Sequence, residues 1–143
     1  MANIIPFAFR GELFSGTHNF ANGGDSFKIA LYTSIAAYGT GSTVYLTTNE
    51  VSSGGGSGYT TAGKVLASQA VASGTAVASI DFADSSITSA TFAAAGAAIY
   101  NDSKSDKLCV VLDFGGTKTA TNGTFTIAFP NPSTPANAII SMA

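Results

Sequence analysis

Gly58-Tyr59-Thr60-Thr61-Ala62-Gly63-Lys64-Val65 carries the G-x-x-x-x-G-K spacing that lets backbone N–H groups and a lysine cradle phosphate. Further on, Leu108-Cys109-Val110-Val111-Leu112-Asp113 reads as an apolar strand ending in the kind of carboxylate that holds magnesium. Such a site needs a buried strand before the loop and a helix after it, so that the helix dipole faces the phosphates. Here Ser52 to Gly58 is polar and glycine-rich, and Val65 stands where the magnesium-binding hydroxyl belongs. The motif reads as a glycine-rich turn leading into a strand, and nucleotide binding is not expected.

Asp81, Asp84 and Asp113 offer carboxylates, but paired-acid chemistry needs two of them in one cleft with their pKa values pushed apart. Alternation sets Asp81 opposite Ile80 and Phe82, on the solvated face, and Asp113 reads as a turn cap at a strand end. Asp102, Ser103, Ser105 and Asp106 supply loop oxygens, yet Lys104 and Lys107 interleave and no calcium-loop pattern follows. His18 is the single imidazole and no nucleophile-elbow sequence accompanies it, so it reads as a structural or interface histidine. Cys109, among apolar neighbours, reads as a small buried hydrophobe. One cysteine and one histidine cannot form an internal disulfide or a zinc site. Neither a catalytic centre nor a metal or cofactor is expected.

The elements that must position these residues are mostly strands. Pro6 opens a short helix in which Phe9 and Leu13 stack at i and i+4, Ile5 lies one turn earlier, and Phe7 and Phe14 are seven apart. Gly16 ends it. Phe27, Ile29 and Leu31 alternate with Lys28, Ala30 and Tyr32, as in a half-buried strand. Residues 34–63 form a Gly/Ser/Thr-rich excursion, a length that in a compact domain signals function or disorder; its low charge argues against disorder. Strands are then expected over 64–72, 76–82, 87–100, 108–114, 124–129 and 139–140. Turns are expected at 84–86, 101–106 and 115–123, and 108–114 reads as a central strand buried on both sides. With no strand–helix alternation, the fold class is all-β: a single antiparallel β-sandwich over 1–143, jelly-roll or immunoglobulin-like, with a short N-terminal helix.

Composition sets the outer bounds. The 143 residues suit one domain, and 45% hydrophobic content allows a core, but charged residues are only 10%. By contrast there are 17 Ser, 17 Thr, 24 Ala and 16 Gly, so the surface must be built from hydroxyls, methyls and backbone. Six basic against eight acidic residues, with no basic run, exclude the usual phosphate-tracking nucleic-acid surface. No apolar stretch approaches the roughly 20 residues that span a bilayer. The start lacks the pattern of a secretion signal, so the mature protein is expected to begin near Met1. Few charges and many hydroxyls accompany chains that live packed in an assembly.

The order of segments then becomes informative. His18-Asn19-Phe20, Ser26-Phe27-Lys28-Ile29-Ala30-Leu31-Tyr32-Thr33-Ser34 and Thr48-Asn49-Glu50-Val51-Ser52 precede the Gly58–Leu66 block. Ile80-Asp81-Phe82-Ala83-Asp84, Ala98-Ile99-Tyr100-Asn101, Leu112-Asp113-Phe114-Gly115 and Thr121-Asn122-Gly123-Thr124-Phe125-Thr126-Ile127 follow. From about residue 17 to 129 the chain resembles a family of small tailed-bacteriophage virion proteins. It departs from that pattern in the inserted Ser53-Gly54-Gly55-Gly56-Ser57 and in a plain Ala-rich stretch over 90–98.

The resemblance implies a non-enzymatic virion structural protein. The expected role is a capsid decoration (cement) protein on the outer surface of the head, bound to the major capsid protein. The alternatives are a tail or fibre-associated host-contact module and a small hydrolase. Five Tyr and no Trp leave a glycan platform undecided from sequence. Ile4, Ile5, Phe7, Phe9, Leu13 and Phe14 crowd six large apolar residues into eleven positions of the 1–16 segment, more than one helical face buries. They are therefore expected to form an intersubunit contact in a homo-oligomer, trimer or dimer, with no nucleic-acid or membrane partner.

Overall fold

The computed structural model describes residues 2–130 and 138–142. One short helix, α1 (Phe7–Phe14), precedes seven strands: β1 (Phe27–Tyr32), β2 (Lys64–Val65), β3 (Ala70–Ser73), β4 (Ala78–Asp81), β5 (Ser85–Asn101), β6 (Lys107–Ile127) and β7 (Ile140–Met142). They form two antiparallel sheets, β2-β1-β5-β6 and β3-β4-β7, an all-β sandwich. Between the sheets lies a phenylalanine-rich core that includes Phe20, Phe27, Phe82, Phe129, Ile80 and Ile140. Phe20 and Phe27 stack at 4.2 Å between centroids, and Phe82 meets both edge-on. No helix among the described residues is long and apolar enough to cross a membrane.

β1 is not half-buried as its alternation suggests. Ile29 and Leu31 face the inter-sheet core, while Ala30 and Tyr32 are equally buried on the other side. The 34–63 excursion covers that second face, packing Ile35, Tyr38, Tyr45 and Leu46 against Ala30, Tyr32, Ala98, Tyr100, Leu108 and Val111. It is a structural layer of the sandwich.

The second departure concerns β6. The 115–123 stretch expected to be a turn is the middle of a 21-residue strand paired with β5. Gly115 and Gly116 adopt φ of +67° and +139°, conformations open to glycine, and they absorb a wide bulge rather than reversing the chain. Between the pairs Gly96–Asp113 and Ala94–Lys118, one residue of β5 faces four of β6. The threonines at 117, 119 and 121 then continue the strand, as β-branched residues favour. Likewise Ser85 and Ser86, expected in a turn, begin β5 opposite Ile127 and Thr126. The 64–72 stretch is two short strands, β2 and β3. Residues 108–112 are buried as expected, but β6 is the edge of its sheet, not the centre. Ile4 bridges Val111 and Val44 bridges Lys107, so short segments from elsewhere cover that edge.

Candidate functional site

α1 is too short to persist alone and carries Gly11 in its interior. Docking holds it. Phe9 is 0% exposed, tilted against His18 and edge-on to Phe20, while Ile5 and Leu13 pack half-buried on the same core. Ile4 exchanges two backbone hydrogen bonds with Val111 and packs against the second core. The six apolar residues expected to form one contact patch therefore divide. Phe9 is an internal core residue, because the i, i+4 stripe of α1 faces the sandwich. Phe7 and Phe14, on the opposite side, are 62% and 90% exposed. Arg10 lies over the Phe7 ring at 5.2 Å.

Below the helix runs the first of two polar networks. His18, with its side chain fully buried, meets Glu12 Oε2 through Nε2 at 2.8 Å and Asn101 Nδ2 through Nδ1 at 2.9 Å. Asn101 Oδ1 accepts the Ser103 N–H, which turns Nδ2 toward Asp25 Oδ2 and His18. Nδ1 of His18 therefore accepts, and the network assigns the proton to Nε2, which donates to Glu12. Lys107 also donates to Glu12. Burial alone raises the Glu12 carboxyl, but hydrogen bonds from Lys107 and His18 and the Lys107 charge outweigh it and leave its pKa lowered. Asp25 behaves alike: burial raises it, and the Asn19 N–H, Asn101 and the Lys104 charge bring it below its usual value. His18 is thus a structural clasp joining α1, the 17–25 loop, β5 and β6.

The second network gathers all five tyrosines. Glu50 Oε1 accepts from Tyr59 Oη at 2.6 Å and from the Ala62 N–H at 2.8 Å, and Oε2 accepts from Tyr45. Tyr59 Oη takes the Leu31 N–H. Leu46 N–H donates to Tyr38, Tyr38 to Tyr32, and Tyr32 back to the Leu46 carbonyl, a closed ring of hydrogen bonds. Tyr100 stacks on Tyr45 at 4.7 Å and donates to the Ala62 carbonyl. Burial raises the pKa of all five phenols; next in size come the Tyr38 hydrogen bond for Tyr32, the Glu50 hydrogen bond for Tyr45 and Tyr59, and the Asp106 charge for Tyr100. Four of the rings are buried and Tyr45 is half-buried, so none forms an open platform on which a sugar could stack.

The remaining candidates are placed apart. Gly63 crosses the β1 backbone so closely that a Cβ there would lie 2.1 Å from the Ile29 carbonyl oxygen, and its φ is +78°. The chain then enters β2, not a helix, and Lys64 donates to the Ser86 carbonyl. Asp84 accepts the Phe129 N–H and Asp113 the Gly115 N–H, two unrelated turns of chain. Asp113 sits within β6, not at a strand end. Asp81 departs from expectation too: its Oδ1 is shielded from solvent and has no hydrogen-bond partner. Asp102 pairs with Lys28 at 2.9 Å. Among the described residues no three His, Cys, Asp or Glu converge. Cys109 is fully buried, and burial pushes its thiol well above the usual range.

Three concavities stand out among the described residues. One, about 640 Å³, follows β6 and the residues after it over Phe114, Phe125, Ile127 and Phe129, with Asp113 and Lys118 in its lining. A second, about 480 Å³, lies beside Gly58, Gly63, Lys64 and Ser86. A third, about 310 Å³, lies between the end of α1 and the three-stranded sheet. Comparison with known proteins returned no match: no family model, curated sequence or solved structure aligns with this chain.

Proposed function

We propose that this chain is a non-enzymatic structural component of a tailed-bacteriophage particle, a capsid decoration protein that binds the major capsid protein on the outside of the head. One observation carries the reading. The residues that give the sequence its resemblance to small virion proteins are used inside the fold: His18 on Asn101, Glu50 on Tyr59, Gly63 against Ile29. A pattern built from such positions is the signature of a scaffold. What remains for the outside is a hydroxyl-rich, charge-poor surface and the outer side of α1 with Phe7 and Phe14. Weak contacts of that kind suffice on a shell, because each engaged copy raises the effective concentration for the next.

The test is to count copies in purified particles and to add the protein to shells that lack it. Hundreds of copies per particle and saturable decoration are expected. A handful of copies confined to the tail overturns the capsid assignment in favour of a tail or fibre-associated module. ATP binding that disappears in Lys64→Ala overturns the non-enzymatic reading itself.

A further inference from the structure

His18 sits at the joint between α1 and the sandwich, its side chain wholly buried against the Phe9 and Phe20 rings. Its Nε2 donates to Glu12 of α1, and its Nδ1 accepts from the Asn101 amide of β5. Asn101 cannot offer the ring its oxygen instead. Its Oδ1 already accepts the Ser103 N–H, and the same Nδ2 also donates to Asp25 at 2.9 Å. Turning the amide over would leave the Ser103 N–H unpaired and set Oδ1 against the Asp25 carboxylate. The joint is built for the neutral ring.

The charges that face the ring are balanced without it. Glu12 of α1 is paired with Lys107 of β6, and Asp25 of the 17–25 loop lies 3.8 Å from Lys104 in the turn after β5. Beyond them Asp102 is taken up by Lys28 of β1. Cys109 of β6 is buried and holds its thiol proton. On the side of the three-stranded sheet, the described residues lining the cleft beside His18 include no Asp, Glu, Lys or Arg. A second proton on His18 therefore brings an unmatched charge into a site closed to water.

We propose that His18 is an acid-sensing latch: a second proton, on Nδ1, meets the Asn101 amide donor to donor and frees α1 from β5. The ring leaves Asn101 together with Glu12, because the hydrogen bond from Nε2 survives protonation. α1 is the element that gives way, having eight residues, an interior Gly11 and no side-chain N-cap. The released state takes up the proton and the docked state resists it. Docking is therefore complete at neutral pH and is lost as pH falls through the ordinary imidazole range, about 6.5. Glu12 and Asp25, held below their ordinary 4.5 and 3.8, keep their charges down to about pH 5, which leaves that window to His18. The latch needs no capsid to operate.

The test is amide hydrogen exchange on the full chain at about pH 7.5 and pH 5, each rate divided by that of the unfolded peptide at the same pH. α1 and residues 17–20 should lose protection about tenfold or more at the lower pH, while β1 keeps its own. His18→Gln removes the titrating group, so its α1 should open equally at both values. Asn101→Asp replaces the donor with an acceptor, so its α1 should be held more tightly in acid than at neutral pH. Equal α1 protection in the wild type at both values overturns the latch. So does a wild-type response that persists in His18→Gln or in Asn101→Asp. Loss of β1 protection in step with α1 overturns it too, since the acid effect is then unfolding of the whole sandwich. The wild-type and His18→Gln profiles decide the question even where Asn101→Asp does not fold.

Discussion

The two faces of the four-stranded sheet solve the same burial problem with different side chains. On the inner face, Phe20, Phe27, Phe82 and Phe129 seal the gap to the second sheet by contact alone. On the outer face, Tyr32, Tyr38, Tyr45 and Tyr100 seal it under a covering segment with little regular structure, while Tyr59 of the same segment packs into the inner core. A loop brings its own unpaired N–H and C=O groups, and a phenol can bury its ring while binding one of them. Tyrosine is the side chain that turns a glycine-rich loop into a layer of the core. The difference predicts that the inner face is lost through cavities and the outer one through hydroxyls.

The largest expected effect is on the inner face. Phe82→Ala or Phe27→Ala should cost about 3–5 kcal/mol of unfolding free energy, measured by urea titration. On the outer face Tyr32→Phe keeps the ring and removes only the oxygen. It leaves the Tyr38 hydroxyl proton and the Leu46 carbonyl without a partner, and should cost about 1–3 kcal/mol. If Tyr32→Phe is as stable as the wild type, the closed ring of hydrogen bonds does not hold the loop.

The two polar networks should separate along the pH axis. The five phenols have native pKa values raised above their ordinary 10.0, so the native state keeps protons that the unfolded chain releases. Their contribution is complete below pH 10 and declines as pH rises beyond it. Glu12 and Asp25 are lowered from ordinary values of 4.5 and 3.8, so their contribution is present above those values and is lost as pH falls through the native ones. Glu12→Gln should flatten the acid limb of the stability profile and leave the alkaline limb unchanged. Stability profiles from pH 2 to 11 for both proteins would check this. The smallest effect is kinetic: Cys109 should react with thiol reagents only at the rate of unfolding, and rapid labelling of the native protein would contradict its burial.

The sequence announced the parts of the fold that repeat. β1, β4 and the apolar run of β6 alternate, β5 carries strand-favouring Thr88, Thr91, Ile99 and Tyr100, and the stripes Phe9/Leu13 and Phe7/Phe14 of α1 are spaced as the structure places them. Three features escaped it. Glycine permits a bulge as readily as a turn, so Gly115 and Gly116 did not reveal that β6 continues. Burial on both faces of β1 depends on what a distant loop does, and Tyr38, Tyr45 and Tyr59 follow no local period. Counting apolar residues in α1 without assigning each to a side merged Phe9 with Phe7 and Phe14. Asn101 and Glu50 gave no signal beyond their places in the resembling blocks, because each acts through partners far away in the chain.

The tyrosine layer also makes this molecule its own optical gauge. The chain has no tryptophan, and four of its five tyrosines pack on the outer side of the sheet, while Tyr59 reaches the inner core beside Phe92. Near-ultraviolet absorbance and phenol emission therefore come mainly from the side that the loop covers. Light absorbed by this protein reports whether the loop is closed, with no label attached.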